Sequence, residues 1–454
     1  MKKLLIVSPH FPPANAPDMQ RVRMSLPYYR ANGWEPVVLA VGDRWQEGVR
    51  EAELLETIPA DVRIVYTRAI PIRISRLLGI GTLGLRAWGF MFWTGSRLLR
   101  REKFDLVFFS NTQFFIFTLG PIWRRLFKLP YVLDVQDPWR TDYYERAGSR
   151  QPPGGWKYQF SRFIAWRFEA WCFQRASGVM SVSPHYLADL CRRYPRLSAT
   201  PAAVIIFGAS QADQRRAATL PPLGPTLGGR PGQIHLLYAG ASGPVMPHAL
   251  TVLFIALRHY RDRHPERASR IRLHFVGTSY VAPGKGKNSV LPVADECGVA
   301  DLVEEIPHRL GYFYVLQLMQ QADVLLLAGS SDLAYSPSKA YLYYLSRRPI
   351  LGLVFRDSVL ERILECLNCA YLVRIREGGP QDEGSAGLCR FFDLMLDGFP
   401  AGSLPAPNEE YFRDHFLSEE LTREQCILFD RASASGLGTS RSTFIMPRRG
   451  DKSP

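Results

Sequence analysis

Residues 324–355, VLLLAGSSDLAYSPSKAYLYYLSRRPILGLVF, decide the fold. An apolar run at 324–328, a polar loop, a helical pattern and a second apolar run at 350–355 follow in that order. Runs this short and this continuously apolar suit strands covered on both faces, and a helix between two of them makes the strands parallel. The stretch is therefore one strand–helix–strand crossover of a parallel sheet.

On either side the same alternation continues, in two series. The first has strand-like runs at 4–7, 36–41, 63–66, 106–110, 131–135, 179–182 and 204–207. The second has them at 235–239, 272–276, 303–306, 324–328, 350–355 and 371–373. Between the series lies 211–233, QADQRRAATLPPLGPTLGGRPGQ, whose Pro, Gly and Arg content reads as a linker. The expected fold class is α/β, with two Rossmann-like, doubly wound parallel-sheet domains facing across a cleft. Residues 1–210 form the N-terminal domain, 211–233 the linker and 234–407 the second domain. A helix at 408–432 and a loose basic tail at 433–454 complete the expected layout.

The composition supports globular domains. Of 454 residues, 46% are apolar and 22% charged, and the 36 Gly and 34 Pro follow no period, which excludes disordered and collagenous chains. Seven cysteines, an odd number, argue for a reducing compartment, and the close pair Cys366 and Cys369 reads as packing. The start, MKKLLIVSPHFPP, has too short an apolar core for a signal peptide and reads as a buried strand. The apolar stretch 77–93 is interrupted by four glycines and Arg86, unlike a spanning helix. The expected location is cytoplasmic, with the inner face of the plasma membrane as a peripheral alternative.

The formal charge is +14, and residues 1–210 hold 29 basic against 16 acidic side chains, net +13. Such a field favours anionic partners. Nucleic acid is not expected among them, because neither zinc-finger spacing nor an RNA-recognition signature is present. Residues 69–103 interleave Arg73, Arg76, Arg86, Arg97, Arg100 and Arg101 with Leu, Phe and Trp. That mixture suits an anionic membrane surface, and equally an ordinary helix with a basic face. The aromatics of 156–173 recur at helical spacing and are expected in the core.

In open parallel sheets ligands bind beyond the carboxyl ends of the strands. In the loop at 329–339, Ser336 and Pro337 fit an N-cap and a first helical residue, which places Ser338 and Lys339 in the first turn. The free N–H groups of such a turn attract anions, and a lysine there, opposed by the helix dipole, would be at ease beside a phosphate. An ordinary exposed lysine is the competing reading. Asp137 follows the strand at 131–135 and is a candidate acid or base, or a cap of the turn at Pro138; Asp134 is read as structural. His10, after the first strand, is a candidate ligand contact.

The segment PSKAYLYYLSRRPIL resembles the donor-binding helix of family 4 glycosyltransferases with the GT-B fold. SPHFPP, YVLDVQDPW at 131–139, FEAWCFQRASGVMSVS at 168–183, YAGASG at 238–243 and HFVGTSY at 274–280 fall at corresponding places. The resemblance implies a nucleotide-diphosphate sugar held by the second domain, with Gly240, Ser242, Gly277, Thr278, Ser336, Ser338 and Lys339 around it. It places Asp137 near the transferred sugar. It implies no cofactor and no metal, since helix dipoles and basic side chains stabilise the leaving diphosphate. The acceptor would be a carbohydrate or a lipid-linked glycan, as in cell-surface polysaccharide or glycolipid synthesis, with configuration retained. Departures accompany it. The family's two donor-helix glutamates fall on Ala334 and Leu342, which leaves Asp332 as the nearest acidic substitute. The usual Gly-Gly after the first strand is absent, as is the usual Arg and Lys pair after the first strand of the second domain; Arg21, Arg23, Lys285 and Lys287 are the candidates for that missing positive charge, against the favoured reading of each as solvated. Two further classes fit the architecture: a nucleotide-sugar epimerase and a degenerate binding or scaffold protein.

Overall fold

The computed structural model describes residues 1–77, 81–140, 155–242, 246–279, 286–333 and 338–434. The chain divides into two compact units, one of Met1–Gly208 with the chain from Ser418 onward, the other of Ala209–Leu417. Each is built on one parallel sheet.

In the first unit the strands are β1 (Lys2–Val7), β2 (Trp34–Val41), β3 (Arg63–Thr67), β4 (Leu106–Ser110), β5 (Tyr131–Val135), β6 (Gly178–Ser181) and β7 (Ala202–Val204), ordered β3-β2-β1-β4-β5-β6-β7. In the second they are β8 (Ile234–Ala239), β9 (Ile271–Val276), β10 (Val303–Ile306), β11 (Val324–Ala328), β12 (Ile350–Phe355) and β13 (Tyr371–Ile375), ordered β10-β9-β8-β11-β12-β13. All pairings are parallel; Leu5, for example, sits opposite Val37 on one side and Val107 on the other. Helices cover both faces, so Leu4, Leu5, Ile6 and Val7 are all fully buried. The strand order reverses between β1 and β4 and between β8 and β11, which makes the loops after these strands the places for ligands. The two doubly wound domains expected from the sequence are therefore present.

Five local expectations are corrected. The last strand of the first series is Ala202–Val204 rather than 204–207. The reason lies in Arg21, whose guanidinium takes the carbonyls of Ile205 (2.7 Å) and Ile206 (3.2 Å). Residues 211–233 begin with a helix, Gln211–Thr219, capped by the Ser210 hydroxyl accepting from Asp213 N at 3.2 Å. It docks on the helix Tyr312–Gln321 through Tyr312 Oη donating to Asp213 (2.9 Å) and Gln317 Nε2 donating to Ala217 O (3.2 Å). The single helix expected at 408–432 is two, Glu409–Phe416 and Ser418–Ala434, because Ala209 N donates to Phe416 O (2.9 Å) and draws Leu417 into an extended bridge. The tail expected at 433–454 begins within the second of these helices, and from Ser435 it lies outside the described residues.

The fourth correction concerns helix Trp156–Phe173, where Phe160, Phe163 and Trp166 are 48%, 58% and 62% exposed instead of buried. In helix Leu83–Arg101, Arg86 is buried and donates to Ile70 O and Trp45 O (both 2.9 Å), whereas Phe90, Trp93, Arg97, Arg100 and Arg101 face outward. No helix among the described residues is long and apolar enough to cross a membrane. The seven cysteines are free thiols, and Cys366 is exposed rather than packed.

Candidate active site

In the N-terminal unit, the loop after β1 carries His10 to Asp18, with His10 Nδ1 at 3.0 Å from both carboxylate oxygens. Asp18 is 4% exposed and also accepts from Thr112 N (3.2 Å) and Thr112 Oγ1 (3.0 Å), in the loop after β4. Burial pushes its carboxyl up, but the His10 charge and the hydrogen bonds from His10 and Thr112 outweigh that and hold it below the usual range. Asp137 responds oppositely. The residue as a whole is exposed, yet its carboxyl is enclosed enough that desolvation first, and the nearby Asp18 charge second, raise it. Two neighbouring carboxyls pushed apart in this way can divide acid and base roles between them. Asp18 was missed at the level of sequence, because only its position in the loop pointed to it.

Beneath them Asp134 is fully buried and accepts from Arg21 Nε (2.7 Å), Ser110 Oγ (2.8 Å) and Gln136 Nε2 (2.9 Å). Asp134 is structural, as expected. Arg21 and Arg23 are not solvated charges: both are buried, Arg23 donating to Gln20 (2.8 Å) and Thr57 (2.9 Å).

In the C-terminal unit the loops after β8, β9 and β11 meet. Gly240 and Gly277 take φ of +119° and +68°, a region that L side chains enter at a cost, as their N–H groups donate to Val276 O and Ile306 O (both 2.8 Å). Ser242 N donates to Thr278 O at 3.1 Å, joining the two loops. Thr278 Oγ1 donates to Glu305 Oε1 at 2.5 Å, while Glu305 Oε2 accepts from Val290 N (3.0 Å) and Leu291 N (2.9 Å). Ser242 Oγ lies 2.6 Å from Ser289 Oγ. Ser242, Thr278, Lys287 and Ser289 border a hollow of about 350 Å³. Glu305, which pins this wall, carried no recognisable signal in the sequence.

Lys339 opens the seven-residue helix Lys339–Leu345, flanked by the exposed Ser338. Its stem is partly exposed, but its ammonium is buried 3.7 Å above the Tyr238 ring and has no hydrogen-bond partner among the described residues. A Cβ on Gly240 would come within 3.1 Å of it, so the glycine leaves the space that the lysine uses. Burial lowers the Lys339 ammonium to about 7. The reading of an ordinary solvated lysine is thus corrected. So is the helix start: it lies at Lys339, while Ser336 and Pro337 fall outside the described residues, as do Ala334 and Lys285. Lys287 is exposed, and Leu342 is half-buried with its carbonyl accepting from Gln214 Nε2 at 3.2 Å. The structure brings Gly240, Ser242, Gly277, Thr278 and Lys339 together. Asp332 is exposed, its N–H donating to Ser330 Oγ at 3.1 Å.

Residues 20–208 match the glycosyl transferase 4-like domain family. No curated protein matches the chain. Among solved structures, a UDP-forming α,α-trehalose-phosphate synthase from Burkholderia vietnamiensis is similar over 97% of this chain and 100% of its own, at 13% identity and a TM-score of 0.57. The corresponding synthase from Burkholderia multivorans matches over 98% and 100%, at 10% identity and a TM-score of 0.53. HepE of Anabaena, solved with UDP and glucose, matches over 96% and 99%, at 13% identity and a TM-score of 0.50. At such identities the likeness shows the GT-B fold.

Proposed function

We propose, from the premise that this chain is a family 4-like glycosyltransferase of the GT-B fold, that it moves a sugar from a nucleotide-diphosphate donor to a carbohydrate or lipid-linked acceptor. The donor belongs to the C-terminal unit, its diphosphate against Lys339 and the loops of Gly240, Ser242, Gly277 and Thr278. By the sequence resemblance, Ser336, Ser338 and Asp332 belong to the segment that binds the donor. Asp137 and His10 serve the sugar or the acceptor from the N-terminal unit.

In the reaction the bond between the anomeric carbon and the β-phosphate oxygen breaks, and a bond from that carbon to an acceptor hydroxyl oxygen forms. The hydroxyl proton passes to the departing phosphate, and configuration is retained. Lys339 supplies the charge that stabilises the departing diphosphate, so the chemistry is metal-independent. The pathway is cell-surface polysaccharide or glycolipid synthesis on the cytoplasmic side, and the outward face of helix Leu83–Arg101 rests on the inner leaflet.

The observation that carries this reading is the buried Lys339 ammonium, which has no hydrogen-bond partner among the described residues and lies beside the loop of Gly240. A panel of nucleotide sugars assayed by release of nucleoside diphosphate tests it. Turnover of at least one donor is expected, and Asp137→Asn, which removes a carboxylate charge beside the transferred sugar, lowers kcat by roughly 100-fold. At least one nucleoside diphosphate raises Tm in native protein and does so less in Lys339→Ala. Equal shifts in both proteins would remove Lys339 from the site, and silence with every donor would remove the activity.

A further inference from the structure

Helix Lys339–Leu345 has only seven residues, too few for its own hydrogen bonds to hold it, so its placement comes from its neighbours. Its first side chain works against that placement. An ammonium buried without a hydrogen-bond partner among the described residues costs free energy, and other contacts of the same helix must outweigh the cost.

Those contacts come from the residues that follow. Tyr341 and Tyr344, three apart on one helix, meet Phe416 and Phe412, four apart on helix Glu409–Phe416, so each pair shares a face of its helix. The rings stack two by two. Tyr341 lies on Phe416 with centroids 4.4 Å apart and planes at 19°, and Tyr344 on Phe412 at 3.9 Å and 7°. All four side chains are buried. Arg347 also pairs with Glu409, but both are more than half exposed, so water screens that pair and the rings carry the contact. Two hydrogen bonds complete the fixation: Tyr343 Oη accepts from Ala239 N at the end of β8 (2.7 Å), and Leu342 O accepts from Gln214 Nε2 (3.2 Å). Helix Glu409–Phe416 is itself anchored, since Phe416 O accepts from Ala209 N at 2.9 Å.

A turn of helix Lys339–Leu345 about its own axis would carry the ammonium off the Tyr238 ring, 3.7 Å below it. Two stacked rings on one face, spaced about 4.5 Å along the axis, oppose that turn. We infer that Phe412 and Phe416 are positioning residues for the donor, which keep Lys339 where it meets the diphosphate and act through the helix that Lys339 opens. The inference rests on the transferase reading, because it takes the donor diphosphate as the partner of Lys339.

Calorimetric titration of the full chain with UDP, GDP and ADP tests it, in native protein, Phe416→Leu, Phe416→Tyr, and Lys339→Ala with and without Phe416→Leu, each checked for its fold by circular dichroism. At least one nucleotide binds the native protein. Phe416→Leu binds it at least fivefold more weakly, whereas Phe416→Tyr, which keeps the ring, stays within twofold of native. On the Lys339→Ala background, where there is no ammonium left to position, Phe416→Leu changes affinity by less than twofold. Should Phe416→Leu not fold, Phe412→Leu at the other stack is held to the same criteria. Undiminished affinity in the leucine variant, an equal loss in the tyrosine variant, or an equal loss on both backgrounds overturns the inference. Any of these beside nucleotide binding by native protein sinks the positioning role alone, and no binding of any of the three by native protein sinks the transferase reading with it.

Discussion

Lys339 carries a conflict that a bound diphosphate would relieve. Its ammonium has a ring face below it at 3.7 Å and no hydrogen-bond partner among the described residues, and burial takes it from 10.5 down to about 7. The unfolded chain therefore holds this proton up to its ordinary value while the native chain releases it near neutrality. Stability is lost as pH falls from about 10.5 to 7 and is flat below that. A tenfold change in proton affinity corresponds to about 1.4 kcal/mol, giving an upper bound of about 4 to 5 kcal/mol, which the partly exposed stem reduces. Lys339→Met is accordingly expected to raise Tm at pH 7 without nucleotide and to diminish the nucleotide-induced rise. Scanning calorimetry with and without nucleoside diphosphate checks both, and a lowered Tm in the variant without nucleotide would contradict the conflict described. The importance of this position was legible in its sequence neighbourhood; its burial was not, because Tyr238 and Gly240 lie about a hundred residues away and only folding brings them under the ammonium.

At the scale of elements, helix Ser418–Ala434 completes the N-terminal unit although it follows the whole second unit in sequence. Phe429 is fully buried, with ring centroids 4.9 Å from Phe108, 5.8 Å from Trp34 and 6.2 Å from Tyr29. Gln425 Nε2 donates to Ser25 Oγ (2.9 Å) and Gln425 Oε1 accepts from Tyr29 Oη (3.0 Å). Phe429→Ala is expected to cost about 3–5 kcal/mol by urea unfolding; a loss under about 1 kcal/mol would mean that the helix is a dispensable cover. A helical pattern at this place is plain in the sequence, but its destination is not, since an apolar face does not say which sheet it covers. Helix Leu83–Arg101 raises the converse case. Phe90 and Trp93 are 40% and 68% exposed beside Arg97, Arg100 and Arg101, an arrangement suited to a headgroup layer. Phe90→Ser/Trp93→Ser is expected to lower co-sedimentation with anionic vesicles about tenfold at unchanged Tm, and undiminished co-sedimentation would assign those side chains elsewhere.

For the molecule as a whole, the acid limb of stability has an identifiable contributor. His274 is 2% exposed, its Nε2 meets His235 Nδ1 at 2.9 Å, and burial first, then the charges of His235 and Arg272, lower it to about 4. Glu304 lies 3.1 Å from Nδ1 but is 41% exposed, so solvent screens its opposing pull. Protonation thus favours the unfolded chain, and the contribution is complete above the ordinary histidine value of 6.5 and lost as pH falls towards 4. Unfolding free energy at pH 5 is expected to lie about 2 kcal/mol below that at pH 7 from this group. His274→Gln should flatten that difference by a similar amount in urea titrations; an unchanged slope would place the acid sensitivity in other groups.

What the sequence determined by itself was the pair of parallel α/β series and the loops that carry the chemistry. Both follow from information local in the chain: the length of an apolar run, the pattern of the helix after it, and the Gly, Ser and Pro that end it. Tertiary structure decided the rest. It joined His10, Asp18 and Thr112, buried Arg21 against Asp134, took the Lys339 charge out of water and left Phe160, Phe163 and Trp166 outside the core. Each outcome depends on contacts or exposure set by segments far apart in the chain, and solvation and charge respond to those surroundings rather than to neighbours in sequence.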